Sequence, residues 1–353
     1  MRSCGYLAAL LALTFLPAWG RADEKSANGL DIHFVDTEGG AATLIVTPAG
    51  ESVLIDCGNP GRRDAERIHR TARAAGLEAI DHLVITHWHV DHYGGVARLS
   101  ELMPIHHFYD HGIPDKLTED PQNFPLLIQA YKKASKGQSK TLRPGDELEL
   151  KQTPGSPALR LYCLCGSAEV VPDKPGAPEN TVARSHTPQA EDKTDNARSL
   201  GFLLSYGDFR FLDLGDLTWN IEYKLVHPSD KIGLVDVYQS THHGLDISNN
   251  PVVINTVRPR VAVFNNGPRK GGLPSVVATL RRSPDIQAIY QMHRNLLAGA
   301  QENTEPENIA NVKDKKCEGE GIKLSVAPDS KSYTVTVGSH GKPRRFETRK
   351  ANP

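Results

Sequence analysis

Four potential metal ligands fall within six residues of this chain: His87, His89, Asp91 and His92, in His87-Trp88-His89-Val90-Asp91-His92. Imidazole nitrogens and a carboxylate oxygen are donors that borderline divalent ions such as Zn²⁺ accept. Asp81-His82-Leu83-Val84-Ile85, directly before them, has the composition of a short buried strand, and on an extended backbone residues two apart project to one side. This alternation predicts that His87, His89 and Asp91 converge while His92 faces elsewhere, next to Gly94-Gly95. Adjacent ligands pointing two ways suit two ions sharing one pocket. The alternative is a surface turn rich in His, which three His and an Asp at this spacing after a buried strand argue against.

At these residues the chain resembles the metallo-β-lactamase superfamily, whose signature His-x-His-x-Asp-His is matched by His87, His89, Asp91 and His92. Upstream, Leu30 to Asp36 and Ser52 to Gly58 resemble its two early strands, the second ending in an Asp-x-Gly turn at Asp56-Cys57-Gly58. Downstream, Asn196-Ala197-Arg198-Ser199-Leu200, Leu214-Gly215-Asp216 and Thr241-His242-His243-Gly244 follow the order of the branch related to the soluble domain of the DNA-uptake competence protein ComEC. The chain differs from that relative in having no membrane-spanning region, and in reading Glu38-Gly39-Gly40-Ala41 where a Gly-Gln-Gly-Asp-like turn is usual.

The resemblance implies an α/β fold, the four-layered αβ/βα metallo-β-lactamase sandwich, with a metal site in the groove along one edge of the paired sheets. It also implies two ions, expected to be Zn²⁺. His87 and His89 would hold the first, Asp91 and His92 the second, with Asp216 bridging and one of His242 and His243 supplying the last imidazole. Asp91 is then the catalytic acid or base beside a bridging water. Asp56 is expected to fix a ligand His through its other ring nitrogen, and Ser199, Lys270 and His293 to lie behind the ligands or against substrate. Asn196 stands where many members of the superfamily place the third His of the first site. An amide is a poorer Zn²⁺ ligand, so that site is expected to be weak or tolerant of Mn²⁺. His186, in Ser185-His186-Thr187-Pro188, is a competing candidate.

Hydrolysis is the reaction such a pocket suits, since divalent ions acidify water and polarise an ester, amide or phosphoryl oxygen. No Ser-His-Asp constellation, phosphate-cradling Gly-rich loop or nicotinamide or flavin fingerprint competes with it. Arg269 and Lys270 favour an anionic substrate such as a phosphodiester, although Gly267-Pro268-Arg269-Lys270-Gly271-Gly272 also reads as a solvated turn. The alternatives are a lactonase or β-lactamase-type hydrolase, and a non-catalytic binding protein that keeps a metal.

Met1 to Ala22 has an early Arg, an apolar run from Tyr6 to Leu16 and small residues at Gly20 and Ala22, the pattern of a secretory signal peptide; it predicts an exported protein, periplasmic or secreted. No later stretch approaches the roughly 20 apolar residues of a membrane span. Removing Arg2 and Arg21 takes the formal net charge from −1 to −3, which argues against strong nucleic-acid binding. Residues 28–340 are expected to form one domain, with a loop insertion over 166–195 and a frayed basic tail over 341–353. Cys163 and Cys165 are expected on one face of a strand, either one pairing with Cys317 or all buried as thiols; Cys57 reads as a core thiol. His106, His107 and His111 lack ligand spacing and are expected to be structural or to line the substrate site.

Overall fold

The computed structural model describes Met1, residues 28–313 and residues 317–350. The expected signal segment therefore lies outside the described residues apart from Met1. Among the described residues, no helix is long and apolar enough to cross a membrane.

Two sheets face each other. The first runs, from edge to edge, Arg344–Glu347, Ser332–Val337, Ile322–Val326, Leu30–Phe34, Thr43–Val46, Ser52–Ile55, Ile80–Val84, Ile105–Asp110 and Lys140–Thr141. Its pairing is antiparallel as far as Ser52–Ile55 and parallel beyond. The second runs Ile309–Asn311, Ala288–His293, Val261–Phe264, Val237–Gln239, Phe209–Asp213, Gly201–Tyr206, Leu159–Gly166 and Glu147–Leu148. Here the pairing is parallel through Phe209–Asp213 and antiparallel after it.

The period-2 alternation of these strands sorts their side chains into layers. Val53 and Ile55 enter the core between the sheets with Phe202 and Phe211, whereas Leu54 faces outward with Leu44 and Leu83. That outer face is covered by the helices Arg63–Ala74, Val96–Leu102 and Phe124–Ala134 through Ile68, Leu99 and Ile128. On the other sheet Leu212, Tyr238 and Ala262 meet the helices Pro251–Val257 and Pro274–Arg281. The result is the expected αβ/βα sandwich. Phe34 meets Phe211 edge-on across the central core, with ring centroids 5.8 Å apart. Full burial of each such side chain contributes about 1.5–3 kcal/mol. Arg63–Ala74, which leads into the metal-motif strand, ends where Gly76 adopts φ +81°, and Leu77 N–H donates to Ala72 O at 3.0 Å.

Two expectations change. Cys163 and Cys165 do not share a face: a register shift opposite Gly201/Phe202 sends Cys163 into the central core and Cys165 under the helices. The four described cysteines, Cys57, Cys163, Cys165 and Cys317, are all free thiols. The basic residues expected to fray instead include the strand Arg344–Glu347, whose Phe346 is buried and stacks on Tyr333 at 5.3 Å. Arg349 adds a backbone donation to Asp236 Oδ1 at 2.8 Å and an ion pair with Asp285 at 2.9 Å. The segment 166–195, expected as a loop insertion, is fastened to the body. Asn180 Nδ2 donates to Val226 O and Thr256 Oγ1, both at 2.9 Å, and the His186 ring stacks on Tyr223 at 3.8 Å.

Candidate metal centre

Regular strand structure stops at Val84, residues 85–89 are irregular with a bend at His87, and Val90–Tyr93 is a single helical turn. Strand alternation therefore does not carry through the motif, and His92, expected to face away, turns inward. The His87 and His92 rings lie 4.0 Å apart, and both direct Nε2 at Asp216 Oδ2, at 3.9 Å and 3.2 Å. His89 is set to one side. Its ring is 4.7 Å from that of His87, but its Nε2 lies 3.5 Å from Glu119 Oε1.

Asp216 arrives just past the end of Phe209–Asp213, through Gly215 at φ +55°, where a Cβ would lie 3.0 Å from that of Thr86. Its backbone N–H donates to Ser199 Oγ at 3.2 Å, so Ser199 braces the Asp216 backbone. His242 and His243 follow Val237–Gln239, and both have φ 55°. Left-handed backbone at a non-glycine residue costs on the order of 1–3 kcal/mol and persists only where its surroundings enforce it. Here His242 N–H donates to Gly215 O at 2.9 Å, and Gly272 N–H to His243 O at 2.8 Å. His243 Nε2 then stands 3.2 Å from Asp216 Oδ2, 3.3 Å from Asp91 Oδ2 and 3.3 Å from His92 Nε2. His242 also reaches Asp216, at 3.4 Å, while its Nδ1 pairs with Ser248 Oγ at 3.2 Å.

Behind His92 is Asp56. Its Oδ2 is 2.6 Å from His92 Nδ1, and it accepts from Thr86 N at 2.8 Å and Thr86 Oγ1 at 2.7 Å. This bond turns the other nitrogen, Nε2, into the groove. Burial opposes a proton on His92, yet Asp216, Asp56 and Asp91 together raise its pKa well above the usual value. Burial likewise opposes charge on Asp91 and Asp216, but the surrounding imidazoles, with Lys270 beside Asp91, hold both well below the usual carboxylate range. Burial and His92 push His87 well below the ordinary imidazole value. Asp91 and Asp216 are thus ionised carboxylates among the imidazoles of the groove.

The donor spacing fits a divalent ion. Two ligands each about 2.1 Å from one ion at a tetrahedral angle stand about 3.4 Å apart. The His92–His243, His92–Asp216, His243–Asp216 and His243–Asp91 separations of 3.3, 3.2, 3.2 and 3.3 Å lie at that value. His87, His92 and Asp216 form one group whose ligand atoms converge, and Asp91, His92 and His243 form another. His87 Nε2 is buried without a hydrogen-bond partner, as a nitrogen reserved for a metal would be.

The other sequence candidates divide. Lys270 Nζ is 2.5 Å from Asp91 Oδ2, delivered by the Gly-rich turn whose Gly267 packs on Gly39. Asn196 is buried with its Oδ1 unpartnered. His186 is held by Tyr223 and by Asn250 Nδ2 at 3.1 Å, and belongs to no group of converging ligands. His293 is a correction: its Nε2 bonds Asp36 Oδ1 at 2.7 Å, in a separate cluster with Cys317. Of the remaining histidines, His106 and His107 are exposed on their strand, while buried His111 bonds Asp195 Oδ2 at 3.0 Å. That same oxygen accepts from Trp88 N at 2.7 Å and so braces the motif from behind. Thr86, Glu119 and Asp195 were not identified from sequence. Each is a single polar residue whose partner is set by the fold, and only the adjacency of Thr86 and Asp195 to His87 and Asn196 was a signal.

The curated relatives match over short stretches. The lactamase-like protein notP of Aspergillus sp. (strain MF297-2) is 35% identical over 72 residues, covering 20% of this chain and 22% of its own. The atrochrysone carboxyl ACP thioesterase of Passalora fulva is 38% identical over 72 residues, covering 20% of this chain and 21% of its own. The chain thus spans about a fifth of the length of these relatives. Among solved structures, CmlA, a diiron β-hydroxylase from Streptomyces venezuelae, is 16% identical over 69% of this chain and 46% of that one, with a TM-score of 0.39. Residues 35–171, which contain His87 to His92, match the family model of the metallo-beta-lactamase superfamily.

Proposed function

We propose that the protein is a metal-dependent hydrolase acting on an anionic ester, a phosphodiester in the first instance. The observation that carries this reading is the Lys270 ammonium 2.5 Å from Asp91, at the edge of a groove where His87, His92, His243 and Asp216 converge. A divalent ion or ion pair held by those residues would acidify a water and polarise the scissile oxygen. Asp91, ionised and only partly buried, is placed to take the water's proton. Lys270, half-exposed on a turn, is placed to meet an anionic oxygen of the substrate. Asp56 keeps His92 Nε2 turned inward, and Ser199 keeps Asp216 in place.

A thioester is the second reading, supported by the relative from Passalora fulva whose name is that of an acyl-carrier thioesterase. Placement in the competence-like branch is supported by the order of Asn196, Asp216 and His242-His243 alone. Export is supported by the composition of Met1 to Ala22, and N-terminal sequencing of the protein from a fractionated host tests it.

The activity test is turnover of a chromogenic phosphodiester, an acyl thioester, a lactone and a cephalosporin by Zn²⁺- and Mn²⁺-reconstituted protein. Phosphodiester turnover that Asp91→Ala abolishes while metal is retained is the expected result. Turnover of the lactone or cephalosporin alone would replace this reading with a lactonase or β-lactamase. Metal binding without turnover of any of the four would leave a binding protein.

A further inference from the structure

The strand that leads into the metal motif ends at Val84, so the buried amides of the motif need acceptors other than a sheet ladder. Two buried carboxylates supply them. Asp56 Oδ1 accepts from Thr86 N at 2.8 Å and Asp195 Oδ2 from Trp88 N at 2.7 Å, which leaves His87 between two amides, each held by a side chain. Asp56 directly follows the strand Ser52–Ile55 and also orients His92. Asp195 belongs to a different part of the chain, the far end of the segment 166–195, next to Asn196. We propose that Asp195 is a positioning residue of the metal centre, which holds the Trp88 amide, thereby sets the directions of His87 and His89, and ties both to the loop insertion. The inference rests on the reading of the groove as a metal centre and adds no ligand to it.

Three observations carry it. The Trp88 side chain is locked as firmly as its amide: it is fully buried, its indole N–H donates to Gly112 O at 2.8 Å, and its ring meets those of Tyr93 and Tyr131 edge-on at 5.2 and 5.0 Å. Because the peptide unit before Trp88 is planar, holding its N–H restrains the backbone torsions on either side, and with them the two histidines that flank Trp88. Asp195 is itself fixed, since the same Oδ2 accepts from His111 Nε2 at 3.0 Å and its own N–H donates to Glu119 Oε1 at 2.7 Å. Finally, Ser167 Oγ donates to His111 O at 3.0 Å, so the two ends of the segment 166–195 meet at His111, directly behind the motif. A carboxylate that is held by its own partners and in turn holds a ligand's backbone keeps that ligand in register for a metal.

The test compares Asp195→Ala, which removes the acceptor, with Asp195→Asn, which keeps an oxygen but not the charge, in the full-length protein. Zn²⁺ affinity is read by competition with a chromogenic chelator, ligand geometry by the d–d absorption of Co²⁺-loaded protein, and the Trp88 amide by hydrogen exchange of the metal-free forms. His293→Ala, which removes the Asp36 partner in a separate cluster, is the control for a loss of stability alone. Zn²⁺ affinity should fall at least about tenfold in D195A and by a smaller factor in D195N, with the Co²⁺ spectrum displaced and Trp88 exchange faster in both. His293→Ala should keep the wild-type affinity and spectrum. D195A decides if its metal-free form has the circular dichroism of wild type; if it does not fold, D195N decides. Wild-type affinity and spectrum in the deciding variant, or changes no larger than those of His293→Ala, overturn the proposal and leave the hydrolase reading standing. A wild type that binds no Zn²⁺ overturns both.

Discussion

Two clusters in this molecule have nearly the same ligand chemistry and different internal logic. The groove assembles His87, His92, His243, Asp91 and Asp216; about the other, Asp36, His293 and Cys317 converge just as closely. In the second cluster every donor has its acceptor. His293 Nε2 lies 2.7 Å from Asp36 Oδ1, the Cys317 thiol donates to Asp36 Oδ2 at 3.1 Å, and Arg67 Nη1 donates to that same oxygen at 3.0 Å. Burial notwithstanding, His293 and Arg67 hold Asp36 below the usual carboxylate range, and Asp36 pushes the Cys317 thiol up, after burial, to about 11. The cation is already there, as a guanidinium. Among the converging ligand atoms of the groove the separations are longer, the Nε2 atoms of His92 and His243 face each other at 3.3 Å, and His87 Nε2, 3.9 Å from Asp216, has no hydrogen-bond partner. Ligand types in proximity therefore do not define a metal site; unmet donors at ligand spacing do.

The largest expected effect is that of Asp216→Ala, which removes the oxygen shared by His87, His92, His242 and His243. Metal affinity should fall at least about a hundredfold, as read by competition with a chromogenic chelator. Retention of full affinity would show that the groove's ligand set has been assigned wrongly.

Next is His293→Ala, which leaves buried Asp36 without one of its donors and should cost about 2–4 kcal/mol in denaturant unfolding while metal content stays at the wild-type value. Loss of metal would erase the distinction between the clusters. The same variant has a pH signature. Because the folded-state pKa of Asp36 is depressed, its contribution is fully present above the unfolded value of about 3.9 and is lost as pH falls through the lower folded value. The stability difference between wild type and His293→Ala should accordingly shrink below about pH 4.

Lys270→Ala sharpens the functional side. It should raise KM for a phosphodiester roughly tenfold and leave a neutral lactone unaffected, the behaviour of a group that reads substrate charge. An equal effect on both would make Lys270 a partner of Asp91 only. The smallest effect belongs to Cys317→Ser, where a hydroxyl replaces the thiol as donor to Asp36. Stability should change by less than about 1 kcal/mol, with metal content the same as wild type.

The fold was legible because its strands alternate cleanly. Val53, Leu54 and Ile55 announce two buried faces, and Gly76 and the Gly207-Asp208 turn punctuate the elements around them. The motif residues were legible because they are contiguous, but their directions were not. His92 turns inward since the chain leaves the strand before His87, a boundary that composition does not mark. Partners far apart in sequence were invisible. Asp36 and His293 are 257 residues apart, and Glu119 is a lone acid in a polar loop. Arg344-Arg345-Phe346-Glu347 read as a tail because charge outweighed its one aromatic residue, yet Phe346 stacking on Tyr333 is what makes it a strand. Cys165 left the face of Cys163 because of a bulge opposite Gly201, which depends on the pairing and not on either strand alone.

The most direct test of the account is anomalous diffraction at the zinc edge from a crystal of the full chain grown with Zn²⁺. The account predicts anomalous density among His87, His92, His243, Asp91 and Asp216, and none beside Asp36, His293 and Cys317. A peak at the Asp36 cluster, or an empty groove at saturating Zn²⁺, would contradict it.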